Sequence, residues 1–439
     1  MRSRHPPAGV IPHRSSGDTV RHEQRAAALR PRIFYGWIVV LATFAITFVG
    51  FGSAYTFSAF VASLQWEFGA SRGSVSLVFS LAGFLYFGLG VVSGPLADRW
   101  GSRRLAVLGM ALVGLGLMLA SAAHSLIEVY AAYGLGVGLG VGCAYVPAVG
   151  AVQKWFVKRR GFASGLAVSG IGVGTLIMPP LASCMIDALG WRETYLILGG
   201  FAAVLGVGMS LLIEDNPGAR GLAPDGGPQV IAQGSVSSPG ASMVEAMRSR
   251  QFLSLYAACL ICSFGVFVPF VHLVPYALDH GLPQSAAVLL LGAIGGGSTV
   301  GRFFLGGIAD RMGRRSFLPA MFAGMGLALT IWFFATAFWA LALFAVLFGI
   351  FYGGWVAILP AVVMDAFGGR NVRGIIGILY TSVAFGTLIG PSAAGFIFDL
   401  SHSYTAPILA SAGANVCAAI IAAFAAKVAA AAPQLGGLA

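Results

Sequence analysis

Long apolar runs alternate along this chain with short polar breaks, and the length of the runs decides the architecture. They recur at about 33–61, 74–96, 104–123, 126–149, 161–184 and 191–213, and again at 251–278, 284–308, 315–336, 338–362, 372–398 and 403–428. A helix rises ~1.5 Å per residue, so roughly 20 apolar residues cross a hydrocarbon layer ~30 Å thick. The pattern therefore predicts twelve spanning helices in two sets of six. Between the sets, residues 214–250 are rich in Gly, Pro, Ser and charge. That stretch reads as a flexible linker, too short for a catalytic domain.

Composition agrees with this pattern. Of the 439 residues, 58% are hydrophobic and 9% charged, and the mean hydropathy is +0.86, which excludes an ordinary soluble domain. The net charge of +11 could suggest nucleic acid. Basic binders of nucleic acid, however, gather their cations on a polar face, whereas here they punctuate apolar runs. When the loops are assigned alternately to two sides, twenty-three of the twenty-six lysines and arginines fall on one side. Arg72 and Arg192 fall on the other side, and Arg302 lies within a span. The positive-inside rule then places both termini in the cytosol of a multi-pass protein of the cell (cytoplasmic) membrane. Residues 1–32 carry seven arginines without an apolar core and read as a cytosolic tail, not a signal peptide. The expected organisation is that tail, a first bundle at 33–213, the linker at 214–250, a second bundle at 251–428 and a tail at 429–439.

The two sets are related. GPLADRWGSRR, with Gly94, Ala97, Asp98, Arg99, Gly101 and Arg103, matches Gly306, Ala309, Asp310, Arg311, Gly313 and Arg315 at an offset of 212 residues. Arg160-Gly161 matches Arg373-Gly374, and Pro179 matches Pro391, at the same offset to within one residue. Duplication of a six-helix unit follows. Two such units about a central cavity are the architecture of transporters that rock one bundle against the other.

Candidate chemistry centres on Arg302, eight residues before Asp310 in the eighth span and so about 12 Å along the helix at ~1.5 Å per residue. A guanidinium in hydrocarbon costs roughly 2.5–3.5 kcal/mol on the lenient scales and marks a binding or ion pathway. The alternative is an arginine satisfied by carbonyls or snorkelling to the interface. All fifteen acids fall in loops or at helix ends, with Asp187, Glu193, Asp279, Asp365 and Asp399 nearest the membrane. His272, in FVPFVHLVPYALDHG of the seventh span, is the other ionisable group well inside, tyrosines and cysteines aside. It can bind a carboxylate or take a proton, or it can simply be a hydrogen-bonded packing element. Tyr145 in CAYVPAVG and Tyr352 in FYGGWVAILP lie near mid-span and suit a small, largely apolar anion. Tyr55, Phe57, Tyr380 and Phe385 are weaker wall candidates. Cys143, Cys184, Cys259, Cys262 and Cys417 all lie in apolar runs, and the CxxC pair has no histidine or second pair with it, so packing is expected. GLGVGLGVG at 134–142 follows no strand, so close helix packing is expected there and not a phosphate loop. No Ser/His/Asp or metal-ligand cluster appears. An enzyme, a metal and a cofactor are not expected.

The GxxADRxGxR loops resemble the hallmark loop of the major facilitator superfamily. WFVKRRGFASGLAVSGIGVG at 155–174, with Lys158-Arg159-Arg160 followed by Ala163, Gly165, Ala167 and Gly170, resembles the helix 5 signature of its monocarboxylate porter family. Tyr35-Gly36-Trp37 resembles a shortened form of that family's other signature, and LYTSVAFGTLIGPSAAGFIFD is similar to bacterial members. The resemblance covers all twelve spans. It implies an all-α membrane protein of two pseudo-symmetric six-helix bundles, with Arg302 as the substrate-carboxylate ligand. It also implies a gating latch at Asp98, Arg99, Asp310 and Arg311, with acids at a helix end beside arginines. Animal members place an aspartate one turn before the arginine, where this chain has Ser298; bacterial members have a histidine at the place of His272.

The expected function is alternating-access transport of a small monocarboxylate of the lactate or pyruvate type, with proton symport, by a monomer in the lipid bilayer. Arg302 would hold the carboxylate, Tyr145, Tyr352 and Ser298 would hydrogen-bond it, and His272 would contact substrate and carry the proton. An oxalate/formate-type or dicarboxylate exchanger is the close alternative, although a second buried cation is absent from 374–398. A non-transporting membrane sensor and a drug/proton antiporter are alternatives of other kinds. The first is disfavoured by the lack of an extramembrane domain, the second by the lack of an embedded acid.

Overall fold

The computed structural model describes residues 34–157, 159–226, 240–368 and 371–431, without the side chains of 160, 226, 306, 307, 310–312, 314, 315, 373 and 427–431. Among these residues 11 helices are long and apolar enough to cross a membrane, and one bent pair makes a twelfth span. In order they are α1 (Tyr35–Phe68), α2 (Arg72–Gly88 with Gly90–Trp100), α3 (Ser102–Ser121), α4 (Leu126–Trp155), α5 (Gly161–Leu189) and α6 (Trp191–Ser210), then α7 (Arg250–Asp279), α8 (Gln284–Met312), α9 (Arg314–Phe334), α10 (Phe338–Phe367), α11 (Val372–Ser401) and α12 (Thr405–Ala431). Helices are what these runs must form, because hydrocarbon offers the backbone no hydrogen bonds.

The duplication is visible in the backbone. Gly101 and Gly313 open α3 and α9 at φ values of 87° and 91°, a region closed to most side chains. That requirement explains why this glycine survives in both copies of the loop. α1 and α7 also break at matching places, Thr56 and Phe267. In α1 the Thr56 hydroxyl donates to the Gly52 carbonyl at 2.6 Å, a back-bond that bends helices. In α7 the break precedes Pro269, which has no N–H to donate. α2 bends by 47° between Gly88 and Gly90.

The halves, α1–α6 and α7–α12, meet along two lines, α2 against α11 and α5 against α8. Small residues let these backbones touch. A Cβ on Gly395 would lie 2.7 Å from the Cα of Gly73, and one on Gly295 would run into the backbone of Leu176. Ala163, Ala167 and Gly170 of the helix 5 signature are buried, with Gly170 against the backbone of Phe44 in α1 of the same half, while Gly165 faces open space.

The linker is tied down at both ends. Asp215 accepts from the backbone N–H and the hydroxyl of Ser102 at 2.7 and 2.6 Å, capping α3, and Glu214 pairs with Arg103 at 2.7 Å. At the far end Ala241 donates to the Phe367 carbonyl, ahead of a short helix, Met243–Arg248, with a Ser242–Glu245 capping box. The polar side chains of these segments find partners on the loops beneath them. Residues 227–239 lie outside the described residues.

Candidate functional site

The site is assembled where α8 and α10 come closest. Added Cβ atoms on Gly297 and Gly301 of α8 would collide with Val346 and Ile350, and on Gly349 and Gly353 of α10 with Ile294 and Ser298. Four reciprocal glycines press one backbone on the other, so Arg302 and Ser298, one turn apart on α8, come to the face beside Tyr352. Gly353→Leu is accordingly expected to push α10 off Ser298 and to lower stability by roughly 1–3 kcal/mol, the usual cost of overpacking. A thermal unfolding midpoint equal to wild type would contradict that.

Arg302 is 4% exposed, and its Nε, Nη1 and Nη2 atoms have no hydrogen-bond partner. No carboxylate lies within ion-pair distance of it among the described residues. Its charge stands 5.8 Å from the Tyr352 ring centroid, a favourable contact that leaves all the guanidinium N–H donors free. The Ser298 hydroxyl is also buried without a partner. Orphaned buried donors of this kind are costly. Their simplest use is to receive an acceptor, and a carboxylate offers two oxygens to a guanidinium fork.

Aromatic rings from both halves roof this spot. The Tyr55 hydroxyl of α1 meets the Tyr352 hydroxyl of α10 at 3.0 Å, and the Tyr55 ring stacks on Phe270 of α7 at 4.5 Å. Tyr145 on α4 packs edge-on against Phe51 at 5.0 Å, and its charge-sensitive hydroxyl lies near Arg302 and Tyr380. Of the weaker wall candidates, Tyr55 proves to be a central bridge, and Tyr380 meets the Phe87 ring across the halves at 6.1 Å. Phe57 packs inside the first half on Phe79 and Tyr133, and Phe385 touches Phe84.

His272 is placed elsewhere. Its Nδ1 is 3.1 Å from the Tyr404 hydroxyl, and its Nε2 is 2.8 Å from the Pro391 carbonyl and 3.4 Å from the Ser76 hydroxyl. Both ring nitrogens are occupied by the protein, and Arg302 is not among the ring's partners. In this arrangement the ring nitrogens face Tyr404, Pro391 and Ser76.

The surroundings of His272 form a cluster that sequence reasoning missed, at the face of the membrane opposite the linker, called here the distal face. Arg72, at the start of α2, grips Asp279 at the end of α7 with both terminal nitrogens, at 2.6 and 2.7 Å. It donates to Tyr404 at 3.0 Å and lies 4.0 Å over the ring of Phe398. The backbone N–H groups of Arg72 and Gly73 donate to the Asp399 carboxylate at 2.9 and 2.8 Å. A side chain of the second half thus caps a helix of the first, satisfying donors that every helix start leaves open. The signal available in the sequence was that Arg72 is one of two cations on that side.

At the linker face Asp98 and Arg99 are exposed, and Lys154 stands 3.6 Å from both Asp98 and Asp215. That ion pair lies within the first half. The side chains of Asp310 and Arg311, the other half of the expected latch, lie outside the described residues.

Two related six-helix halves joined around a buried, unneutralised cation define a membrane transporter and not an enzyme. Comparison with known proteins agrees. The family model "Major Facilitator Superfamily" matches residues 42–308 and 253–436. Monocarboxylate transporter 12-B of Danio rerio is 30% identical over 428 residues, covering 91% of this chain and 89% of that protein. Monocarboxylate transporter 4 of Rattus norvegicus is 30% identical over 377 residues, covering 84% and 78%. The chain belongs to the major facilitator superfamily and, within it, to the monocarboxylate transporter family. A crystal structure of a bacterial homologue of the human lysosomal transporter Spinster, inward-facing and unoccupied, superposes with a TM-score of 0.69 at 17% identity, covering 90% of this chain and 97% of that one. That likeness concerns the fold.

Proposed function

We propose that the protein carries a small monocarboxylate of the lactate or pyruvate class across the cell membrane, together with a proton, as a monomer working by alternating access. The observation that carries this reading is Arg302, buried to 4% with three unpartnered nitrogens and no carboxylate beside it. A single anionic head group would take the fork, with Ser298 one turn away, Tyr352 beside it and Tyr145 to accept or donate a further hydrogen bond. Binding neutralises the site, so the loaded carrier crosses the occluded state at lower cost than an empty one. The linker face, which holds most of the cations, is the cytosolic face in this reading. The bundles at 33–213 and 251–428 are then the rocking units, and the distal cluster is the closed outer gate. His272 serves as the proton carrier, acting from that gate.

Uptake of labelled lactate into proteoliposomes, competed by a panel of carboxylates at two pH values, tests the proposal. Monocarboxylates should compete and acid outside should accelerate uptake. Competition by oxalate or other dicarboxylates alone would transfer the site to an anion exchanger. A smaller effect is expected of Tyr352→Phe, which removes a hydroxyl shared with Tyr55. The loss of one hydrogen bond, ~0.5–1.5 kcal/mol, should raise the Michaelis constant roughly 2–10-fold. An unchanged constant would remove Tyr352 from the substrate's contacts.

A further inference from the structure

The hydrogen-bond directions around His272 can be deduced one by one. The Pro391 carbonyl has no hydrogen to give, so it can only accept from Nε2. Ser76 spends its own hydrogen on the Arg72 carbonyl at 2.6 Å, so toward Nε2 its oxygen also accepts. Nε2 therefore carries the ring hydrogen, and Nδ1 is the bare nitrogen. On the other side, a guanidinium only donates, so the Tyr404 oxygen receives Arg72 at 3.0 Å. The Tyr404 hydrogen is left free to point at Nδ1, 3.1 Å away. One directed chain runs from Arg72 through Tyr404 and His272 to Pro391, crossing from the first half to the second.

We propose that Nδ1 of His272 is the atom that takes the transported proton, and that Tyr404 and Arg72 are positioning residues that cover it whenever the distal face is closed. The inference rests on the proton-symport reading above and adds its atom and its timing. With the gate shut, a proton on Nδ1 would take away the acceptor of the Tyr404 hydrogen and set a second cation close to Arg72. With the gate open, Arg72 on α2 and Tyr404 on α12 separate, the hydroxyl loses its constraint, and Nδ1 meets water. The proton is taken from outer water at that stage, and once the distal face has closed and the linker face has opened, re-engagement of Tyr404 lowers the affinity of Nδ1 and the proton leaves to water on the linker side. Proton affinity then alternates with the gate, which is what coupling requires.

The other charged and titratable groups around the ring are compatible with this. Arg72 faces it from α2, Asp399 from the end of α11, and Asp279 and His280 from the end of its own helix, with His402 beside Phe398. Both carboxylates are already engaged, Asp279 with the Arg72 guanidinium and Asp399 with the first amides of α2. Neither bonds the imidazole.

Two measurements on the full-length protein in lipid bilayers test the proposal. The first is the ¹⁵N spectrum of histidine-labelled protein, with the His272 signals assigned by their disappearance in His272→Gln. A neutral ring with hydrogen on Nε2 and bare Nδ1 is expected, and a hydrogen on Nδ1 at neutral pH would overturn the proposal. The second is Tyr404→Phe, which keeps the ring stacked on Phe398 and removes only the hydroxyl. An accepted hydrogen bond favours the neutral imidazole. Its loss should move the midpoint of pH-dependent lactate uptake, and of the His272 signals, upward by ~0.5–1 pH unit. A lower rate with an unmoved midpoint in both measurements would mark Tyr404 as merely structural and overturn the proposal. If wild-type uptake ignores pH while the spectrum shows the covered Nδ1 shifting in Tyr404→Phe, the symport reading falls and the placement of the tautomer stands.

Discussion

Arg302→Lys is expected to lower lactate uptake at sub-saturating concentration by roughly 10–100-fold, because a hydrogen bond to a charged group is worth ~1.5–3 kcal/mol and each 1.4 kcal/mol is tenfold. Lysine keeps the charge and loses the planar fork that matches a carboxylate's two oxygens. Folding should respond in the opposite sense. The three guanidinium nitrogens have no protein partner, so Arg302→Gln removes a buried charge without breaking a bond. The purified variant should unfold at a temperature equal to or above that of wild type. A structural arginine would behave in reverse, with uptake preserved in whatever folds and the unfolding temperature depressed. Wild-type uptake by Arg302→Lys would end the assignment of Arg302 as carboxylate ligand.

The helix count, the duplication and the buried cation were all legible in the sequence, for one physical reason. Hydrocarbon permits only helices, punishes internal charge, and leaves cations at one face, so run length and charge placement carry most of the fold. The glycines of α8 and α10 were visible as residues but not as a contact, since pairing of helices depends on which faces meet. Tyr55 could only be ranked as a wall, because its hydroxyl bond to Tyr352 joins positions 297 residues apart. His272 was legible as an ionisable group inside a span. Its partners Tyr404, Pro391 and Ser76 come from three other helices, and no spacing within α7 announces them. The same holds for Arg72, which looks like a stray exception to the charge rule until α7, α11 and α12 are brought to it.

Asp279→Asn is expected to speed opening of the distal face. A reporter for this is Ser58→Cys, since Ser58 is buried to 1% and lines a cavity with Arg72, Gln65 and Gln284 just beneath the gate. In protein whose exposed Cys184 and Cys417 have been replaced, a membrane-impermeant thiol reagent added at the distal face should label position 58 about tenfold faster in Asp279→Asn, the effect of ~1.4 kcal/mol. That size suits a two-pronged pair whose side chains are 17% and 35% exposed, since solvent screening trims what a buried pair would give. Asp399→Asn should act in the same direction by a different route, because it weakens the cap on the first amides of α2. The two substitutions act on one short segment, Arg72 and Gly73, and neighbouring effects do not add. The double variant should therefore label more slowly than the product of the single accelerations implies. Labelling at the wild-type rate in both single variants would show that the halves are held together at this face by helix packing, such as Gly73 against Gly395, and not by the ion pair or the cap. Arg72 would then orient Tyr404 without bearing the load of closure.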